Sequence, residues 1–325
     1  MAGSEKHERD AGTAMSSPMV SFDWWRALIR VLASIEAVRD GRALYVLLAT
    51  FCGAGLAMAC AQASLARDDL GWAIGQGAAA LFVAFYGVNA AGLLLMDRAL
   101  ARPARDVVDA MEDALGIGHR VLLTLLCAVL VGVLLAGVLL GLYWLSSLPR
   151  IGPWLFTLVV PLTVVCISLF LMAVAVVVAP LTGPTVWAGA SAIEAIQTVA
   201  TMVRTHLLQA AVLAGGLSLV TGLVGAVSSL LVVIGGRVMA EASVLVLGVD
   251  IPPEALMGGL IGQGVQVRDP SHVAPEALQY ISAATVGGGV VFAIALVLPT
   301  LVYLRGVCEI YLTLRRAAAG EDSLR

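Results

Sequence analysis

The chain has 325 residues; 60% are hydrophobic, 13% are charged, and the formal net charge is −3 at pH 7. An ordinary soluble domain carries roughly 45–50% apolar residues and about 25% charged ones, so this composition cannot clothe a globule in water. It marks an integral membrane protein and excludes a secreted disulfide scaffold, a disordered tail protein and a nucleic-acid binder, since no bulk positive field could hold a polyanion.

Residues 1–20 are small and polar and contain no apolar core of a signal peptide. They read as a disordered cytoplasmic tail ahead of a six-helix transmembrane domain over 21–316, with a second cytoplasmic tail at 317–325. A bilayer core takes about 20 apolar residues per helix. Six segments qualify, at about 43–65, 72–96, 120–146, 154–181, 207–235 and 282–306.

Sidedness follows from the basic residues. With the N-terminus in the cytoplasm, fifteen of the nineteen lysines and arginines fall inside, and only Arg67, Arg150, Arg237 and Arg268 fall outside. Six spans with both termini cytoplasmic are therefore expected, in a bacterial inner membrane. The connections 66–71 and 147–153 are short external turns. The external loop 236–281 is long. Pro253 and Pro275 are each followed by Glu-Ala-Leu, which suits a helix start, so two short interfacial helices, or a re-entrant segment, are expected there.

An amphipathic stretch too charged to span precedes the first, third and fifth segments. The three read FDWWRALIRVLASIEAVRDGR, ARDVVDAMEDALGIGHR and SAIEAIQTVATMVRTH. Apolar positions recur at helical spacing: Trp25, Ile29, Leu32 and Val38; then Val107, Val108, Met111 and Leu115; then Ile193, Ile196, Val199, Met202 and Val203. Each stretch ends on Arg42, Arg120 or His206, thirteen residues after Ile29, Val107 or Ile193. The expected architecture is all-α and polytopic: six transmembrane helices in three hairpins, each preceded by a cytoplasmic interfacial helix lying flat at the headgroups. Trp24, Trp25, Arg26 and Arg30 are the anchors of the first, and Arg42, Arg120 and His206 mark the ends. The break between the first interfacial helix and span one is expected at Asp40-Gly41.

The segment APLTGPTVWAGASAIEAIQTVATMVRTHLLQAAVLAGGL at 179–217 resembles a motif in a poorly characterised family of bacterial six-span membrane proteins. That family is related to the membrane domain attached to some glycerophosphodiester phosphodiesterases. Span four there ends in a small-residue and proline turn, an interfacial helix with a Glu-Ala pair follows (here Glu194-Ala195), and span five comes next. The last span ends in tyrosine, leucine and arginine, here Tyr311-Leu312-Thr313-Leu314-Arg315-Arg316. The resemblance covers Phe22 to Glu321. The chain departs from it after Glu-Ala, where Gln197 and Thr198 replace the usual aromatic residue, and it carries no phosphodiesterase domain. The resemblance implies a fold, and contact with lipids or a membrane complex, but no catalytic activity.

Ionisable groups inside spans are costly and mark function, and few are present. Gln76 and Asn89 lie in span two, and Asn89 is the strongly polar residue nearest mid-membrane. Asp97 sits beside Arg98 at the inner end of that span. Glu309 follows Arg305 by one helical turn and can pair with it. The five cysteines lie in apolar stretches without a CxxC pair, so they read as small hydrophobes and no metal site is expected. Neither HExxH, GxSxG nor a P-loop occurs. Gly71 with Gly75 and Gly137 with Gly141 have the small-xxx-small spacing of close helix contacts. No catalytic residue and no cofactor is expected. The reading is a non-catalytic integral membrane protein that interacts with membrane lipids or serves as a subunit of a membrane assembly, with a membrane-protein partner or in a homo-oligomer. The alternative is a permease for a small uncharged or amphipathic substrate.

Overall fold

The computed structural model describes residues 23–65, 67–103, 105–149, 152–247 and 275–322. Among them every regular element is a helix. In chain order these are α1 (Trp24–Leu32), continued by a 3₁₀ segment Ala33–Arg39, then α2 (Gly41–Leu65), α3 (Leu70–Ala99), α4 (Val107–Leu145) and α5 (Gly152–Ala173). A π-helical segment Val174–Val178 leads into α6 (Ala179–Trp187), followed by α7 (Ala192–Thr205), α8 (Leu207–Leu247) and α9 (Pro275–Asp322). Six helical stretches are long and apolar enough to cross a membrane: Gly41–Leu65, Leu70–Ala99, Val107–Leu145, Gly152–Trp187, Leu207–Met239 and Val290–Ala319. The chain is a multi-pass membrane protein.

The core lies toward one end of the bundle. It is built from the C-terminal half of α3 (Ala90 to Met96), the start of α2 (Val46, Leu47) and the C-terminal half of α9 (Val297 to Leu314). Helix α9 packs against α2, α3 and α8, and α1 with its 3₁₀ continuation lies across α8 and α9. Helices α4 and α8 leave the core as they run away from this end, and α5 runs back toward it, its continuation joining the core at Val177 and Leu181. In α4, Ala110, Ala114, Gly118, Val121 and Thr124 are buried one turn apart, and beyond Thr124 only Leu139 is.

Three features depart from the sequence expectation. The second amphipathic stretch is not a separate helix: Val107 to Leu145 is continuous, about 58 Å at 1.5 Å per residue. No proline or capping residue interrupts it, and Gly116 and Gly118 alone do not end a helix whose buried stripe runs straight through. The threefold repeat therefore fails in its middle copy. Second, the segment beginning at Pro275 opens α9 rather than a separate helix, and α8 continues past 235 to Leu247. The remainder of the external loop, 248–274, and the tail 1–20 lie outside the described residues. Third, a Cβ added at Gly71, Gly75, Gly137 or Gly141 would meet open space, so these glycines make no close contact among the described residues.

The other two amphipathic stretches are distinct elements. Asp40 separates the 3₁₀ segment from α2, and its carboxylate accepts the Ala43 N–H at 3.4 Å. Ser191 caps α7, accepting the Glu194 N–H at 3.4 Å while Glu194 accepts the Ser191 N–H at 2.8 Å. This reciprocal pair is a capping box. Span four reaches that cap through a proline-rich stretch. Pro180 cannot donate to the preceding turn, and the π-helical widening just before it accommodates the loss. Thr182 and Thr185 hydroxyls donate to the Val178 and Leu181 carbonyls in the same turns. Helix α6 then stops at Gly189, whose φ of +106° an L side chain would resist.

Candidate functional site

At the end of the bundle where the core lies, the turn at Asp40 sits beside the end of α3. A hairpin returns the chain to its starting level, so residues flanking α2 and α3 meet. They line an open cavity of about 480 Å³. Arg39 and Arg42 come from either side of Asp40, and Arg98 and Arg102 come from the end of α3 and the segment after it. Leu94, a buried core residue, lies beneath them. Four arginines against Asp40 leave a formal charge of +3 on the lining.

The ion pairs around this cavity are specific. Arg98 bonds Asp40 at 3.0 Å. Asp97, 1% exposed, is held by Arg105 at 2.8 Å, and Arg105 also reaches Asp113 at the start of α4 at 2.7 Å. Asp97 thus takes Arg105 as its partner and not its neighbour Arg98. Arg42 donates to the Arg105 carbonyl at 2.9 Å, which ties the start of α2 to the segment leading into α4. Arg305 on α9 donates to the Leu95 carbonyl at 3.2 Å and pairs with Glu309 at 2.7 Å. Cations here sit at the negative end of the α3 dipole. Among the described residues, Arg39 and Arg102 have no ion-pair partner.

The first amphipathic element has two apolar faces. Ala27, Val31, Ser34 and Ala37 are buried on the bundle, while Trp25, Ile29, Leu32, Ile35 and Val38 point away from it, with Trp25 71% exposed. Trp24 is also largely exposed, and Arg26 pairs with Asp23 at 3.1 Å in the first turn. Arg30, in the last turn of α1, is half-buried. The large side chains that amphipathic spacing picks out thus face outward, and smaller ones make the protein contact.

The polar candidates within spans do not converge. Asn89, 3% exposed, accepts the Trp187 indole N–H at 2.9 Å and donates to the Phe85 carbonyl at 2.8 Å. Gln76 accepts from the Ser64 hydroxyl at 3.0 Å near the opposite end of the bundle, and Glu309 is held by Arg305. His206, buried at the corner between α7 and α8, bonds Gln209 at 2.5 Å. Arg120 lies within α4, where its carbonyl accepts from Thr124. Outside the spans, hydrogen bonds from the Ser191 backbone first, then its side chain, hold Glu194 below the ordinary carboxylate value.

Sequence reasoning missed Trp187 as the partner of Asn89 and used Arg39, Arg98 and Arg102 only to set sidedness. The signal for the cavity was present: RDGR at 39–42 and DRALAR at 97–102 bracket one hairpin. Compared with protein-family models, curated proteins and solved structures, the chain matches none.

Proposed function

We propose that the protein is a non-catalytic component of a bacterial cytoplasmic membrane that works by engaging lipid at the inner leaflet, alone or as a subunit of a membrane assembly. In this reading both termini are cytoplasmic, the six spans form three hairpins, and α1 lies flat in the interface. Kinship with the six-span family named above is part of the same proposal and rests on the residues quoted for it.

The observation that carries the reading is the outward face of α1 and its 3₁₀ continuation. Five large apolar side chains, Trp25, Ile29, Leu32, Ile35 and Val38, turn away from the bundle on a segment that also bears Arg26, Arg30 and Arg39. An aqueous surface penalises such a face by roughly 25 cal/mol per Å² of apolar area. At a membrane interface the same face meets acyl chains while the arginines stay at the headgroups. Tryptophan favours that level. Inward-facing basic residues add to the attraction of an anionic leaflet, by about 1 kcal/mol each.

Nitroxide labels placed singly from 24 to 38 in vesicle-reconstituted protein test this. Positions 25, 29 and 32 should lie at acyl depth and positions 26 and 36 at the headgroups. Uniform water exposure along the segment would overturn the reading.

A further inference from the structure

The arginine-lined cavity carries an inference of its own. Its lining holds three more positive charges than negative ones, and one guanidinium, that of Arg98, is already turned to Asp40. Arg39 and Arg102 line it without an ion pair among the described residues. Guanidinium groups present forked donors that match the oxygens of a phosphate. The depression is open, its four arginines are exposed, and it adjoins the 3₁₀ segment whose Ile35 and Val38 face outward. A free anion needs no neighbouring apolar face, and an acyl chain needs no arginines. A phospholipid needs both, at the level where helix ends meet a leaflet.

We propose that this cavity is a binding site for the headgroup of an anionic phospholipid, with Arg39 and Arg102 donating to its phosphate oxygens and Arg42 and Arg98 supplying the surrounding field. Basic pockets between transmembrane helices on the cytoplasmic side are suited to such headgroups. The proposal rests on the reading that the α1 end of the bundle faces the inner leaflet. Asp40 has a defined part in it. It accepts the Ala43 N–H at the start of α2 and pairs with Arg98, which neutralises one of the four guanidinium groups and leaves Arg39 and Arg102 for the phosphate.

The test uses the full chain reconstituted in vesicles of phosphatidylcholine, with or without a minority of phosphatidylglycerol or cardiolipin, then released in mild detergent and weighed by native mass spectrometry. Wild type should retain the anionic lipid in preference to phosphatidylcholine. The Arg39→Gln/Arg102→Gln variant should lose that retention by about tenfold or more, the scale of losing charge-assisted hydrogen bonds. Arg237→Gln, which removes an exposed arginine paired with Glu241, should retain lipid as wild type does. A double variant that holds anionic lipid as tightly as wild type overturns the proposal. Displacement of the lipid by inorganic phosphate alone, with no preference among lipids, also overturns it and assigns the site to the free anion. A nitroxide at position 29, measured in the same vesicles, separates the two failures: acyl depth with unchanged retention sinks the cavity alone, whereas an aqueous label sinks the reading of α1.

Discussion

The indole N–H of Trp187, at the end of α6, donates to the side-chain carbonyl of Asn89 on α3 at 2.9 Å. The ring lies over two glycines: a Cβ at Gly92 would come within 2.4 Å of it and one at Gly183 within 2.7 Å. One bond and two missing side chains therefore fix α6 against α3. Trp187→Phe removes the donor, and an interhelical hydrogen bond of this kind contributes about 0.6 to 1.7 kcal/mol. Gly92→Ala forces the ring aside, at an overpacking cost of about 1–3 kcal/mol. The two effects should couple. Gly92→Ala should cost far less in a Trp187→Leu background, read as the unfolding midpoint in detergent. Additive losses would show that the ring does not rest on Gly92.

Arg105 joins a buried carboxylate to an exposed one. Asp97 is almost wholly enclosed, whereas Asp113 is half open to the surroundings. Removing the shared cation leaves Asp97 buried and uncompensated, a change on the order of 3 kcal/mol, while Asp113→Asn loses only a surface pair of less than about 1 kcal/mol. Arg105→Gln should therefore destabilise strongly and Asp113→Asn weakly. Arg105→Gln/Asp97→Asn should recover much of the loss, because the amide carries no charge to strand. Equal effects from the two single variants would place the stability in Asp113 instead.

The capping box of α7 predicts a pH dependence. Hydrogen bonds from Ser191 favour the charged form of Glu194 and lower its pKa from the ordinary 4.5. A carboxyl with a depressed folded value contributes stability above its unfolded value, and that contribution disappears as pH falls through the folded one. Relative to Glu194→Gln, wild type should hold a constant advantage at neutral pH and lose it as pH drops below 4.5. Amide exchange at the start of α7, compared between the two proteins at matched pH, reads this directly. A difference that grew on acidification would reverse the sign and sink the account.

Spans were legible in the sequence because twenty apolar residues in a row have few other uses. The break at Asp40-Gly41 was legible for a local reason, an aspartate able to cap followed by a glycine. What the sequence hid was long-range. Nothing near Asn89 announces Trp187, ninety-eight residues on, and nothing in Asp97-Arg98 says that the two will find different partners. The middle amphipathic stretch misled because charge was taken to end a membrane helix. Charge sets where a helix leaves the bilayer, whereas only a cap, a proline or a chain reversal ends its hydrogen bonding. The small-xxx-small spacings do not mark the contacts among the described residues: Gly71 and Gly75 have the spacing, but the contacts formed at Gly92 and Gly118, against Trp187 and Tyr86.

Two features of the chain bear on its sidedness. Fifteen of nineteen basic residues fall on one side of a six-span path. In the folded chain Arg39, Arg42, Arg98, Arg102 and Arg105 gather around the Asp40 end, with Arg305 bonded to the end of α3 nearby. By the positive-inside bias that end is predicted to face the cytoplasm. Reporter tags at positions 3 and 322 should be shielded from an impermeant reagent added outside intact cells, and a tag at position 269 should react. The opposite pattern would turn α1 and the arginine cavity toward the outer leaflet and remove the basis for their engagement with the inner one. Reaction at only one terminus would mean an odd number of crossings, and one of the six apolar stretches would then have to lie within the chain's own interior or along the surface. Gly152–Trp187 is poorly able to do so: its α5 portion exposes Trp154, Leu158, Val164 and Leu171 on several sides, a pattern that only a lipid environment or a partner's apolar surface accommodates.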